Sequence, residues 1–283
     1  MTKLKKMYKN NVLLLFCLTA CLISCKNNSS ELSGTSDALF EEKTPEETGI
    51  NFSNNLTFDK DFNIYTYRNF YNGGGVAIGD INNDSLPDIY FSANMGPNKL
   101  YLNKGNFTFE DITDKAGVAG KMTWSTGVTM ADVNGDGLLD IYVCNSGDKD
   151  GDKKQNELFI NKGDGTFTDQ AELYGLADKG YSTHSVFFDY DRDGDLDMYL
   201  LNNSYQAIGS FNLKNNVRNI RDNEGGDKLF RNDGDKFTDV SVAAGIYGSV
   251  IGFGLGVTVG DINMDGWPDI MSPMTFLSGI TYI

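Results

Sequence analysis

A nine-residue acidic segment occurs four times in this 283-residue chain, at residues 80–88, 132–140, 189–197 and 261–269. Each copy has Asp at positions 1, 5 and 9 and Asp or Asn at position 3. Carboxylates packed this closely repel one another, so a structure that gathers them in one loop needs a cation to offset the repulsion. Oxygen ligands at alternating positions, with a backbone carbonyl at position 7, suit the roughly six to eight oxygens that calcium takes. The repeat therefore predicts four calcium loops.

The expected ligands of each ion are four side chains and one backbone carbonyl. The side chains are Asp80, Asn82, Asp84 and Asp88; Asp132, Asn134, Asp136 and Asp140; Asp189, Asp191, Asp193 and Asp197; and Asp261, Asn263, Asp265 and Asp269. The carbonyls are assigned to Leu86, Leu138, Leu196 and Trp267. Calcium is the one cofactor that we expect, with a structural role, and no catalytic residue is predicted.

Two alternatives compete with the calcium loop. An EF-hand starts with acids at the same positions but needs a bidentate Glu at position 12. Position 12 is Phe91, Val143, Leu200 and Ser272, so the EF-hand is excluded. The second alternative is an ordinary turn rich in Asp, Asn and Gly. It would explain one copy, but not four copies with the same spacing and the same flanks.

The segments around each loop predict β-strands. Short apolar runs rich in β-branched and aromatic residues precede and follow the loops, as at 75–79 and 89–91. Third strands are predicted at 98–101, 156–159 and 227–230, and fourth strands at 107–112, 166–170 and 237–240. Four strands in meander order, repeated along a chain, are typical of propeller blades. We expect an all-β fold, a partial β-propeller of three full blades and the start of a fourth, over residues 50–270. Residues 52–70 are expected to add one or two strands.

The N-terminal segment predicts a leader and a lipid anchor. Basic residues 3–9 precede an apolar run at 12–23 that is short for a membrane span. Leu-Ile-Ser-Cys at 22–25 resembles the bacterial lipobox, which implies a signal peptide at 1–24 and acylation of Cys25. Residues 25–49 are expected to be a flexible tether. The protein would then be anchored by lipid in the bacterial cell envelope, at the outer membrane or cell surface. Cys144 is expected to be a buried free thiol.

Charge restricts the partners. The formal net charge is −15. Nucleic acid and anionic lipid would be repelled by such a surface, so nucleic acid is excluded as a partner and contact with the membrane is expected through the lipid anchor alone.

The repeats differ in length at one connection. All of the variation falls between the second and third strands, including residues 145–155 and the long segment 202–226. Insertions collected in one connection lie on one face, which is often where binding occurs, although they can also be solvated loops. Arg218 and Arg221 in the longer insertion either bind a carboxylate ligand or pair with Asp222 and Glu224.

These motifs together resemble a known repeat family. The Asp-x-Asn-x-Asp-Gly-x-x-Asp loops, followed by Asn-x-Leu-Tyr/Phe and Gly-x-Phe-x-Asp, resemble FG-GAP/VCBS repeats, which also form the calcium-bearing blades of integrin alpha-chain propellers. The Asn-Lys-Leu-Tyr-Leu-Asn variant and the Ala-Gly ending look most like the cartilage acidic protein branch, whose bacterial members often carry an ASPIC/UnbV domain. Ser85 stands where the family has Gly, and should weaken the first loop because position 6 suits Gly.

The end of the chain departs from this pattern. Relatives of that branch continue after the fourth loop with a regular second strand, but residues 271–283 have a different composition. One base lost after Ile270 would produce this string from the relatives' string. We therefore interpret 271–283 as an aberrant tail created by a frameshift in the gene of a longer lipoprotein.

The resemblance implies a binding or adhesion protein, with an extracellular protein or glycan as its partner. The alternative is a propeller that forms part, catalytic or not, of a larger polysaccharide-processing enzyme, since one fold hosts both functions. An acid or a histidine that faces the central opening would favour the enzyme. The single histidine, His184, precedes a predicted strand and is more often a packing residue.

Overall fold

The computed structural model describes residues 39–147, 153–204, 220–274 and 277–281. The chain divides into two compact units, 1–43 and 44–283. In the described end of the first unit, Lys43 Nζ lies 2.6 Å from Glu41 Oε1. All strands and helices that follow belong to the second unit.

The described strands form four antiparallel sheets. The first sheet contains β1 (Val76–Gly79), β2 (Asp88–Phe91), β3 (Lys99–Asn103) and β4 (Phe109–Asp111). The second contains β5 (Ser125–Ala131), β6 (Asp140–Asn145), β7 (Glu157–Asn161) and β8 (Phe167–Asp169). The third contains β9 (Ser182–Phe188), β10 (Asp197–Asn202), β11 (Lys228–Asn232) and β12 (Phe237–Asp239). The fourth contains β13 (Thr258–Gly260), β14 (Asp269–Met274) and β15 (Leu277–Thr281).

Strand order within each sheet follows the chain, so every sheet is a meander. Each acidic loop joins the first strand of a sheet to its second, as predicted. The all-β fold class is confirmed: three sheets are complete four-stranded blades and the fourth has three strands among the described residues. The predicted third and fourth strands are also present, with ends shifted by at most two residues.

Apolar layers join neighbouring sheets. Tyr90 and Leu100 of the first sheet share one buried cluster with Ile141 and Phe159 of the second. Equivalent clusters lie between the second and third sheets and between the third and fourth. Burial of each large apolar side chain contributes about 1.5–3 kcal/mol, so these layers hold the blades together.

Residues 49–75 correct one expectation, because they contain no strand. Asn and Asp side chains satisfy the local backbone instead: Asp59 Oδ1 accepts from the N–H groups of Asp61 and Phe62, each at 2.7 Å. Such side chains compete with a β-ladder for backbone hydrogen bonds. The aromatic residues that suggested a strand form a compact cluster, in which Tyr67 and Phe70 pack on Trp124.

Three one-turn helices were not predicted: α1 (Pro45–Thr48), α2 (Thr113–Ala116) and α3 (Ala171–Tyr174). The helix α1 lies in the segment predicted as a tether. It has a complete capping box, in which Thr44 Oγ1 accepts from Glu47 N and Glu47 Oε2 accepts from Thr44 N. The helices α2 and α3 follow the fourth strands of the first two blades and end at glycines with positive φ.

Candidate metal loops

The carboxylate at position 1 organises each loop. In the second loop, Asp132 accepts from the N–H of Asp136 at Oδ1 (3.1 Å) and from the N–H of Gly137 at Oδ2 (2.8 Å). Position 1 of the other three loops accepts the same two bonds. For Asp80, desolvation acts to raise the pKa, but the hydrogen bonds from Ser85 and Asp84 outweigh it and hold the pKa below its usual value.

Positions 3, 5 and 7 form a second set of contacts. Asn134 Nδ2 donates to Asp136 Oδ2 at 3.0 Å, and Leu138 N donates to Asp136 Oδ1 at 2.9 Å. The first and fourth loops repeat both bonds. The structure therefore places the predicted side-chain ligands of each loop around one short turn.

The carboxylate at position 9 lies inside the protein and ties the loop to the sheet. Asp140 is 1% exposed; its Oδ2 accepts from Val133 N (3.1 Å) and its Oδ1 from Asn161 N (2.8 Å). Desolvation raises its pKa to about 6, and the charges of Asp136 and Asp132 act in the same direction. A positive ion beside these carboxylates would offset both effects.

The backbone of the loops requires two residues with positive φ. Position 6 has φ 69 at Ser85, 85 at Gly137, 100 at Gly194 and 86 at Gly266. The prediction that Ser85 occupies a conformation suited to Gly is therefore confirmed. Position 4 has the same property, with φ between 60 and 71 at Asn83, Gly135, Arg192 and Met264. This second position was not predictable from the repeat pattern, because four different residues occupy it.

One predicted ligand of the third loop is replaced. The carbonyl assigned to Leu196 belongs to position 8, and it accepts from Asn232 Nδ2 at 3.2 Å. The position 8 carbonyls of Pro87 and Leu139 accept from Asn103 and Asn161 in the same way. The residue equivalent to Leu86, Leu138 and Trp267 is Asp195, whose N–H donates to Asp193 Oδ1 at 2.9 Å. The acidic side chain at position 7 obscured this register in the sequence.

Of the four acidic loops, the third has the side-chain arrangement that best suits a bound cation. Asp189, Asp191 and Asp197 each offer a carboxylate oxygen, and these oxygens lie within 4.8 Å of one another. Asp191 replaces the Asn of the other loops, and its Oδ1 is buried without a hydrogen-bond partner. Desolvation and the charge of Asp193 raise the pKa of Asp191. A buried oxygen with no donor beside other acidic oxygens suits a hard divalent ion.

The fourth loop keeps the geometry but lacks one support. Asp269 Oδ2 accepts from Ile262 N at 2.8 Å, whereas Oδ1 is buried without a partner. In the three complete blades, the equivalent oxygen accepts from the N–H of Asn103, Asn161 or Asn232 at the end of the third strand. Residues 271–274 and 277–281 do form strands, so the backbone continues the blade. The frameshift origin of residues 271–283 stays a prediction.

Neighbouring loops are joined by asparagine amides. Asn161 Nδ2 donates to Ile81 O of the first loop at 2.8 Å and to Leu139 O of the second at 3.1 Å. Asn232 Nδ2 joins the second and third loops through Val133 O (3.3 Å) and Leu196 O (3.2 Å). These two amides therefore connect the first, second and third loops along one rim.

Of the two cysteines with a predicted role, one lies among the described residues and the other does not. Cys144 is a buried free cysteine, as predicted, and burial raises the pKa of its thiol to about 12. Cys25 and the predicted signal peptide at 1–24 lie outside the described residues. In the part of the chain that the structure describes, no helix has both the length and the apolar content to cross a membrane.

Comparison with protein families agrees with the loop geometry. The FG-GAP-like repeat model matches residues 80–143 and 145–200, which begin at the first acidic loop and include the second and third. The chain is an FG-GAP repeat protein. Relatives include cartilage acidic protein 1 of Mus musculus, 30% identical over 206 residues, which are 70% of this chain and 28% of that protein. The Xenopus tropicalis protein of the same name is 29% identical over 168 residues, 57% of this chain and 25% of that protein.

The FG-GAP repeat protein thus spans little more than a quarter of the length of these curated relatives. A solved structure of a lectin from Agrocybe aegerita, titled for its recognition of non-reducing terminal N-acetylglucosamine, is 20% identical. It aligns with a TM-score of 0.37 over 69% of this chain and 45% of that chain, which is too weak a likeness to carry an argument.

Proposed function

We propose that this FG-GAP repeat protein is a calcium-stabilised binding module, held at the bacterial cell surface by a lipid on Cys25. Its partner would be an extracellular protein or glycan. Calcium would be structural: Asp80, Asp132, Asp189 and Asp261 with their loop partners would hold the ions at one rim of the blades.

The observation that carries the proposal is the common geometry of the four loops. In each one, the position 1 carboxylate accepts from the N–H groups of positions 5 and 6 in a turn with two left-handed residues. In the third loop, carboxylate oxygens of Asp189, Asp191 and Asp197 also lie within 4.8 Å of one another. Asp191 Oδ1 adds a buried acceptor that no described protein donor satisfies. An ordinary polar turn does not need a buried carboxylate oxygen that lacks a donor.

The position of the insertions supports a binding role at the opposite end of the blades. Antiparallel pairing places Asn145 beside Ser125 and Asn202 beside Ser182, so the connections from β6 and β10 leave from the end remote from the acidic loops. Of the two arginines considered, Arg218 lies outside the described residues. Arg221 donates to Ile246 O (3.0 Å) and Asp227 O (2.7 Å), which gives it a structural role.

The enzyme alternative rests on His184, which lines a cavity between the first strands of the blades. Among the described residues, no carboxylate lines that cavity to act with the imidazole. General acid–base chemistry commonly needs a second group within hydrogen-bond reach of the reacting atom. His184 thus meets the histidine criterion for the enzyme but has no second acid–base group beside it among the described lining residues, and binding stays the function that we propose.

Thermal unfolding of the full chain tests the calcium part of the proposal. We expect millimolar calcium to raise the melting temperature relative to excess chelator, because ions that bind only the folded loops stabilise the native state. At about 100 times the dissociation constant, one site adds about 2.7 kcal/mol. Magnesium at the same concentration should have a smaller effect, since it demands a near-octahedral site. Equal melting temperatures with calcium and with chelator would contradict the proposal.

A separate experiment tests the anchor. Incorporation of a labelled fatty acid in bacteria should be lost in Cys25→Ser and retained in Cys144→Ser, because only Cys25 stands in the lipobox-like context. Labelling that persists without Cys25 would remove the lipid anchor from the proposal and leave the calcium loops unaffected.

A further inference from the structure

A cavity of about 410 Å³ lies where β1, β5 and β9 begin. Each acidic loop follows the other end of these strands, so the cavity and the metal loops are at opposite ends of the blades. The first strands approach closely here: a Cβ at Gly127 would lie 2.5 Å from Thr183 O, and one at Gly75 would lie 2.8 Å from Thr126 O. The volume falls within the roughly 300–1,000 Å³ of small-molecule sites.

His184 breaks the repeat at the wall of this cavity. It lies five residues before the first Asp of its loop, and the same position in the other three repeats is Gly75, Gly127 and Gly256. The third blade therefore places an imidazole where the other blades have no side chain. Burial lowers the pKa of His184, so the neutral ring presents one donor and one acceptor.

Among the described residues, three polar side chains of the wall have no hydrogen-bond partner. The imidazole of His184 and the side-chain amides of Asn69 and Asn72 make no hydrogen bond to a described residue, although all three line the cavity. By contrast, Thr126 and Thr183 donate to backbone carbonyls at 2.7 Å and 2.9 Å. Donors and acceptors that line one space and make no bond within the protein are groups that can orient a ligand.

An aromatic wall completes the cavity. Trp124 is 2% exposed and Tyr67 is 5% exposed, and their rings meet edge to face at 5.3 Å within the cluster of Phe62 and Phe70. Trp124 also has φ 61, a conformation that costs a bulky residue about 1–3 kcal/mol. Strain of this kind is held by the surrounding structure and concentrates at binding sites.

The charge of the site selects the class of ligand. No Asp, Glu, Lys or Arg lines the cavity among the described residues, and the net charge of −15 repels anions. A ligand that bonds to both amide and imidazole groups must itself offer donors and acceptors, and the apolar edge of the aromatic cluster suits its C–H surface. We infer that the cavity bounded by His184, Asn69, Asn72 and Trp124 binds a small, neutral, polyhydroxylated molecule of the sugar class. This inference rests on the proposed binding function and names the ligand for it.

Saturation-transfer NMR of the full chain in calcium tests this inference. The probes are glucose, galactose, mannose, N-acetylglucosamine and myo-inositol, with glucuronate as the charged comparison. At least one neutral probe should receive saturation and should bind more tightly than glucuronate. The variant His184→Gly restores the residue of the other repeats and should weaken that probe about tenfold. Asn72→Ala should weaken it as well.

The control is Asn106→Gly, an exposed turn residue with φ 52 outside the cavity, which should leave the affinity unchanged. Calcium melting curves show that each variant is folded. Unchanged affinity in folded His184→Gly, no transfer to any neutral probe, or a preference for glucuronate would each overturn the inference. Because calcium-dependent melting is scored separately, loss of the sugar site and loss of the proposed calcium module remain distinguishable.

Discussion

The hydroxyl of Tyr199 donates to Asp227 Oδ2 at 2.8 Å inside the third blade. The equivalent tyrosines of the first two blades, Tyr90 and Tyr142, donate instead to the backbone carbonyls of Val118 and Leu176. Where those blades have an asparagine, the third has Asp227, and Arg221 takes the freed carbonyl of Ile246. The change from Asn to Asp at this position of the repeat therefore accompanies two others: the tyrosine donates to a different acceptor, and the Ile246 carbonyl accepts from a different donor.

This arrangement predicts a pH-dependent stability. Desolvation raises the pKa of Asp227 to about 7, against about 3.9 for an unfolded Asp. Between those values the folded state holds a proton that the unfolded state has lost, so stability falls as pH rises from about 4 to about 7. We expect Asp227→Asn to be more stabilising, relative to the native chain, at about pH 8 than at about pH 5. Urea denaturation in calcium measures this difference.

The reciprocal variant is the control for that experiment. Asn156 is 0% exposed and occupies the equivalent position in the second blade, so Asn156→Asp should destabilise the protein more at high pH than at low pH. A pH-independent difference for both variants would contradict the assignment.

The third loop predicts opposite effects of one substitution with and without calcium. Asp191→Asn would supply the donor that position 3 gives to position 5 in the other loops, as Asn134 does. It should stabilise the calcium-free protein by about 0.5–1.5 kcal/mol and reduce the stabilisation that calcium adds. Melting in chelator and in calcium measures both. The matched variant Asn134→Asp should show the reverse pattern, and identical shifts in both conditions would argue against a metal at Asp191.

Glycine in place of another residue at a left-handed position is expected to raise the free energy of unfolding. Met264 has φ 62 and is 89% exposed, so its side chain gains little contact to offset the conformational strain. We expect Met264→Gly to stabilise the folded protein by about 1 kcal/mol. Met264→Ala keeps the strain and should be nearly neutral, and chemical denaturation distinguishes the two. A gain for alanine equal to that for glycine would refute the conformational explanation.

The asparagine amides at the ends of the third strands predict unequal losses of folding stability when they are replaced by alanine. Asn161→Ala leaves the carbonyls of Ile81 and Leu139 without their side-chain donor at a buried site, and should cost about 2–3 kcal/mol. Both variants lose the bond that the side-chain oxygen accepts, from Gly105 N or Gly163 N, but the amide of Asn103 donates only to Pro87 O within a single loop, so Asn103→Ala should cost less. Unfolding in calcium compares them, and equal losses would mean that Asn161 does not join neighbouring loops.

The burial of Cys144 predicts that its thiol reacts slowly in the folded protein. Because burial raises its pKa to about 12, little thiolate exists at neutral pH and a disulfide reagent should react only after unfolding. In a background of Cys17→Ser, Cys21→Ser and Cys25→Ser, which leaves Cys144 as the remaining thiol, the reaction rate should follow the unfolding curve. Rapid labelling of the folded protein would contradict the buried position.

Much of this fold was predictable because the information is local and repeated. The carboxylate spacing fixes the acidic loops, and the apolar runs beside them fix the strands. Residues 49–75 were not predictable in this way, since their aromatic residues pack on Trp124, which is distant in sequence. The register error at Leu196 arose because Asp195 adds a carboxylate at position 7. The significance of His184 emerges only when the strand register aligns it with three glycines and the structure shows the space that it enters.

The antiparallel pairing of each first and second strand separates two kinds of evolutionary change. Additions between the second and third strands leave from one end of a blade, as at β6 and β10, and leave the ladder that positions Asp140 and Asp197 intact. Each duplicated unit can therefore acquire a new surface without losing the turn that stabilises it. Duplicated blades can therefore diverge in what they bind through the connections between their second and third strands. Selection for folding acts on the acidic loops at the opposite end of each blade.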